Sequence, residues 1–270
     1  MKLGITLPSF QDDAGPSLAV AAAAEASGLD GVFAYDHLFR RDKQGVRRPA
    51  LEMFALMGAV AGATERIAIG SLVARATLRP YATLANGFDT LARITGPERL
   101  LVGLGAGDDQ SREENESYGL PFGTVADRVA ALRDAVDAVR DRGYPVWVGG
   151  THPPVREVAA AHADGWNRWG AGLEQFRGQS ANLRSAAARS PFTVSWGGLV
   201  VLAENDATAT AKAERLGAGK GVLVGGPDLV ATALRAYGDA GADWLMIGPV
   251  DSADPDNARI LGEEILPRLR

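Results

Sequence analysis

The chain has 270 residues, 46% hydrophobic and 23% charged, which is enough length and apolar content for a large globular core. A formal net charge of −5 gives no general attraction for nucleic acid or an anionic membrane, so neither is expected as a partner. Cysteine is absent, which removes thiol catalysis, thiolate metal sites and disulfides together.

The chain opens on "KLGITLP", an apolar run read as a strand and, broken by Pro8, too short for a secretory segment. "SLAVAAAAEASG" follows as a helix, with Ser17 as candidate cap and Gly28 as stop. Next come the strand "GVFAYD", the helix "LEMFALMGAVAGAT", the strand "RIAIGSLVA", the helix "ATLANGFDTLARIT" and the strand "RLLVGLGAG". After an acidic loop, "DRVAALRDAVDAVRDRG" is the clearest amphipathic helix, with Val129, Leu132, Val136 and Val139 on one stripe. The remainder alternates in the same way. Strands are expected at "PVWVGG", "WNRWG", "FTVSWGGLVVLA" and "DWLMIGP", with helices between them and a final helix "DNARILGEEILPRLR".

About eight strands, each followed by helix and several apolar throughout, fit a parallel sheet covered on both faces. Eight such units in this length match one (β/α)8 TIM barrel, with a doubly wound open sheet as the competing layout. No linker or compositional break appears, so residues 1–270 are read as a single domain. Loops 37–50 and 108–126 stay unassigned, and long βα loops in such folds are usually functional. No run approaches the roughly 18 apolar residues of a membrane helix, and a cytoplasmic location is the expectation.

In a barrel the site lies at the carboxyl ends of the strands, which here carry Asp36 and His37, then Ser71 and Arg75, Gly107 and Asp108, and Gly149, Gly150 and Thr151. Asp36 and His37 read as a carboxylate orienting an imidazole or as a base near neutral pH, against a capping acid and a loop histidine. "GLGAGDD" is a poor dinucleotide fingerprint, because Gln110 stands at its third glycine; its glycines suit close approach to a flat ligand, with Asp108 at the rim. "VGGTHPP" places free backbone N–H groups and a helix start where a phosphate could sit, or is only a tight turn. "RRDKQGVRR" holds five basic residues and one acid, either solvated surface or a clamp for an anionic ligand tail. None of the four lysines stands at an expected strand end, which disfavours Schiff-base chemistry. His37, His152 and His162 lack metal-ligand spacing, so no metal is expected.

Several of these stretches in their order, "AEASGLDGVFAYDHLF", "ATERIAIGSLVARATLRPYATLANGFDTLA", "RLLVGLGAGD", "ESYGLPFGTVADRVAALRDAV", "PVWVGG" and "AAAHADGWN", resemble the luciferase-like monooxygenase superfamily. The resemblance covers nearly the whole chain and implies a barrel oxidoreductase that uses coenzyme F420 or reduced flavin. It implies that His37 lies beside the ring as base or partner and that Asp36 helps hold the site. A bulge in "GSLVA" with a non-prolyl cis peptide at Leu72–Val73 would back the ring, near Ser71 and Gly107. Asp108 stands where sugar-phosphate dehydrogenases of the family use a longer glutamate, as proton donor or substrate contact, and Gly149, Gly150 and Thr151 would meet the cofactor phosphate. The resemblance thus points to hydride transfer between coenzyme F420 and a small organic substrate. An FMN-dependent monooxygenase and a non-catalytic cofactor-binding barrel are the alternatives, and a homodimer is expected because the family is often dimeric.

Overall fold

The computed structural model describes residues 1–42 and 44–270. Eight parallel strands close into a ring in chain order: β1 (Lys2–Thr6), β2 (Gly31–Ala34), β3 (Ala68–Ser71), β4 (Leu100–Gly105), β5 (Val146–Gly149), β6 (Gly165–Trp169), β7 (Thr193–Leu202) and β8 (Trp244–Pro249). β8 pairs with both β7 and β1, which closes the barrel, and a three-residue strand, Leu223–Gly225, adds to the carboxyl end of β7. All eight strands expected from the apolar runs are present, and helices cover the outside.

Alternation along the strands explains the apolar runs. Leu3, Ile5, Val32, Ile69, Val102 and Val148 belong to the large core between strands and helices, whereas Phe33, Trp147, Trp244 and Met246 form a second cluster inside the barrel. That interior is aromatic rings laid over glycines of neighbouring strands. A Cβ on Gly4 would stand 2.5 Å from the Phe33 ring, one on Gly70 2.6 Å from it, and one on Gly165 2.6 Å from Trp147. Trp169 lies over Gly197 and Gly248 in the same way and fills the mouth beside β7 and β8. The mouth beside β2 to β5 is left open.

Three local expectations are corrected. Ser17 does not cap the first helix, which runs Gly15–Ala26 with Pro16 in its first turn; the Ser17 hydroxyl instead donates to the Pro8 carbonyl at 2.7 Å. The final helix is interrupted by a widened π-type turn at Ile260–Ile265, consistent with Pro267, which has no N–H to continue an α-helical ladder. The unassigned loops also hold structure: an antiparallel hairpin, Phe39–Arg41 with Arg47–Pro49, and a short helix Arg112–Ser117. Among the described residues no helix is long and apolar enough to cross a membrane.

The glycine-for-ring packing predicts that Gly70→Ala, whose Cβ would also stand 2.9 Å from the Leu101 carbonyl oxygen, costs about 1–3 kcal/mol in urea unfolding. Gly58→Ala, in helix Met53–Ala63 with nothing within 4 Å, should instead add about 0.5–1 kcal/mol. A neutral Gly70→Ala would contradict this packing.

Candidate functional site

The carboxyl ends of β2 to β6 surround a cavity of about 550 Å³. Its floor follows from the chain between β3 and the two-residue strand Ala74–Arg75, where the Leu72–Val73 peptide is cis. The Val73 side chain lies across the neighbouring strands: a Cβ on Gly105 would stand 2.5 Å from one of its methyls, and one on Gly149 2.7 Å from the other. Only glycine permits this floor, which is apolar at Leu72, Val73 and Ala106. Ser71 is not part of it; its hydroxyl donates to the Gly103 carbonyl at 2.8 Å and accepts the Gly103 N–H at 3.0 Å, a tie between strands.

His37 stands at the rim, and the residue that holds it was not picked out from the sequence. Glu114, 5% exposed on the short helix, approaches His37 Nδ1 at 2.7 Å through Oε1. Its Oε2 accepts the Leu38 N–H at 2.8 Å and Arg75 Nη2 at 2.9 Å. Burial raises the Glu114 carboxyl, but the bonds and charges of His37, Leu38 and Arg75 outweigh this and hold it below the ordinary glutamate range. Among the described residues His37 Nε2 has no partner, and the ring lines the cavity. The signal in the sequence was charge complementarity, "REENE" against "RRDKQGVRR".

Asp36 is 2% exposed and works behind the rim. Its carboxylate accepts the Arg75 backbone N–H at 2.9 Å and Arg79 Nη1 at 2.8 Å, and its carbonyl accepts Arg75 Nε at 2.8 Å. Arg79 in turn reaches Glu52 at 2.5 Å. Asp108 also lines the cavity, with Oδ1 accepting the backbone N–H and hydroxyl of Ser111, both at 3.2 Å. Gly107, at φ 73°, makes the turn that presents it.

Gly149, Gly150 and Thr151 line the opposite wall, with Gly150 at φ 138°. The helix beginning there offers less than its dipole promised, because Pro153 and Pro154 at its first two positions have no N–H to donate. The structure adds Arg128 instead. It is 7% exposed, with Nε buried and unpartnered and its nearest acid, the exposed Asp109, 3.6 Å away. Arg128 lines a side cavity of about 240 Å³ that shares Gly107, Asp108, His152 and Val155 with the main one.

The basic loop is the hairpin, and most of its cations are already paired. Arg41 and Arg47 both reach Glu113, and Arg48 reaches Asp42 at 3.2 Å, so the expected clamp is reduced to Arg40; Lys43 lies outside the described residues. His162 pairs with Asp137 at 2.9 Å on a helix away from the cavity. Among the described residues no group of three or more His, Asp or Glu is placed to hold a metal.

A family model described as luciferase-like monooxygenase matches residues 1–142 and 140–221. An F420-dependent glucose-6-phosphate dehydrogenase of Beutenbergia cavernae is 31% identical over 161 residues, 58% of this chain and 46% of the relative. One of Kribbella flavida is 36% identical over 124 residues, 45% and 35% of the two. The matches thus span less than half the length of these relatives. An F420-dependent secondary alcohol dehydrogenase, solved with an F420-acetone adduct, superposes with TM-score 0.82 at 16% identity, covering 100% of this chain and 99% of that one. Monooxygenase RslO1 of Streptomyces bottropensis gives 0.79 at 20% identity, covering 100% of both. At these identities the superpositions speak for the barrel fold.

Glu113 supplies a test of the hairpin clamp. Hydrogen bonds from Arg41 and then Arg47 pull its carboxyl down to about 2, against about 4.3 for a free glutamate. The folded value is the lower one, so the stabilisation is complete above about pH 4.3 and is lost as pH falls through about 2. Urea midpoints should therefore fall more steeply over that window for the wild type than for Glu113→Gln; parallel curves would show that the clamp is energetically idle.

Proposed function

The chain belongs to the luciferase-like monooxygenase family, and on that premise we propose that it is a single-domain F420-dependent oxidoreductase that moves a hydride between the coenzyme and a small organic substrate. The observation that carries this reading is the glycine floor under Val73 with His37 fixed at its rim by Glu114. Bound there, the coenzyme would supply the hydride acceptor or donor.

The residues present fit such a group. A flat ring suits the apolar, Cβ-free floor of Leu72, Val73, Ala106, Gly105 and Gly149. A phosphate suits the backbone at Gly150 and Thr151, and the adjoining side cavity is lined by Arg128, whose Nε is unpartnered and whose acid neighbour, Asp109 at 3.6 Å, is exposed. The relatives named for coenzyme F420 support the choice of ring.

The work of the chain is placement and proton handling. With Nδ1–H donated to Glu114, neutral His37 presents Nε2 to the cavity, where it can take the proton of a substrate hydroxyl. The imidazolium so formed is stabilised by the Glu114 carboxylate 2.7 Å away. The same pair returns the proton when a carbonyl is reduced. Asp108, with Oδ1 capping Ser111, contacts the substrate from the facing side.

A second reading is favoured by one finding. The pairing of Arg41, Arg47 and Arg48 with acids leaves few free cations for a polyanionic tail, whereas a single phosphate on Arg128 would serve FMN in a monooxygenase. Titration separates the two: the F420 reading requires tighter binding of coenzyme F420 than of FMN, and oxygen uptake with reduced FMN would favour the other. In the F420 assay, His37→Ala should lower kcat by about 10²- to 10⁴-fold with cofactor affinity retained. Glu114→Gln, which keeps the side chain's size but removes the charge from behind the base, should lower kcat by about tenfold.

A further inference from the structure

A second lobe of about 570 Å³ adjoins the first and shares Tyr35, His37, Asp108 and Trp169 with it, so His37 stands at a waist between two chambers. If the ring takes the glycine-floored chamber, as proposed above, the other is left for the substrate. Two of its features narrow what that substrate is.

The first is its aromatic wall, Phe10, Phe39 and Trp169. The Phe10 ring lies 5.6 Å from the His37 ring and 5.0 Å from the guanidinium carbon of Arg40, and so spans the interval between the base and that cation. The second is charge. Arg41 is held by Glu113, and Glu114 by His37 and Arg75, while Asp108 caps Ser111 through one oxygen. Arg40 alone among the described cations lining this lobe has no carboxylate partner; its one contact is the face of Phe10. An exposed arginine without a partner is ordinary on a surface, but here it stands at the end of an aromatic slot that leads to the base.

We propose that this lobe binds an aromatic or alicyclic monocarboxylic acid that also carries a hydroxyl or carbonyl group, with the carboxylate on Arg40, the ring along Phe10 and Trp169, and the carbon bearing that hydroxyl or carbonyl at His37. A neutral sugar or a short secondary alcohol would leave both the aromatic wall and the cation unused.

Phenylacetate and its uncharged analogue phenylacetamide test this on the full chain by calorimetric titration, without any turnover. Phenylacetate should bind about tenfold more tightly than the amide, and Arg40→Gln should abolish that preference while leaving the amide unchanged. Equal binding of the two, or a preference that survives Arg40→Gln, overturns the proposal. The acidic tail of coenzyme F420 is the other source of a carboxylate, and a deazaflavin lacking the tail separates it. If Arg40→Gln weakens the full coenzyme and spares the tail-less one, the cation serves the coenzyme and the substrate assignment falls; if it leaves both unchanged, the assignment stands. Loss of both deazaflavins with the phenylacetate preference intact would remove the cofactor reading and keep the acid-binding lobe.

Discussion

The site depends on one buried carboxylate. An ionised group as enclosed as Glu114 costs several kcal/mol unless its lone pairs are met, and here an imidazole, a backbone N–H and a guanidinium meet them. Arg75 is itself only 3% exposed and bonds the Asp36 carbonyl and Asn115, while the Asp36 carboxylate binds Arg75 N–H and Arg79. The network ties the end of β2, the end of β3 and the short helix Arg112–Ser117 into one unit. Each member is required by the others, because removing one leaves a buried charge uncompensated, at a cost of about 3–5 kcal/mol. This is why a histidine on a loop can keep one orientation without regular structure around it.

The barrel interior decides where that histidine can act. Aromatic rings over glycines fill the barrel from below, and Trp169 over Gly197 and Gly248 closes the side of the mouth formed by β7 and β8. The open side is the one where Gly105 and Gly149 lie under Val73, a surface without protruding side chains that a planar ligand can cover. The absence of side chains on β4 and β5 thus shapes the site as much as the charged network does. The side cavity at Arg128 and the lobe at Phe10 extend the site in two directions from His37 and Asp108.

Much of this was legible in the sequence. Strands buried on both faces leave unbroken apolar runs, so all eight could be counted, and their order carried His37, Asp108, Gly149 and Gly150 to one rim. The resemblance also placed the cis peptide at Leu72–Val73. Glu114 was hidden because "REENES" has the composition of any solvated turn; only the fold of the hairpin and the short helix turns one of its acids inward. Arg128 was hidden for a related reason, since arginine on an amphipathic helix is usually solvated and this one stacks on Phe122 at 4.1 Å instead. Ser71 misled in the other direction: a hydroxyl at a strand end suggests a ligand contact, yet a backbone gap at Gly103 takes it.

Glu114 fixes the protonation geometry of His37. Long-range ¹H–¹⁵N correlation spectra of the three histidines, assigned with His37→Gln, read the tautomer directly. Neutral His37 should carry its proton on Nδ1, with Nε2 unprotonated toward the cavity, and Glu114→Gln should shift it toward a mixture of tautomers. A His37 protonated on Nε2, or one already averaging between tautomers in the wild type, would contradict it.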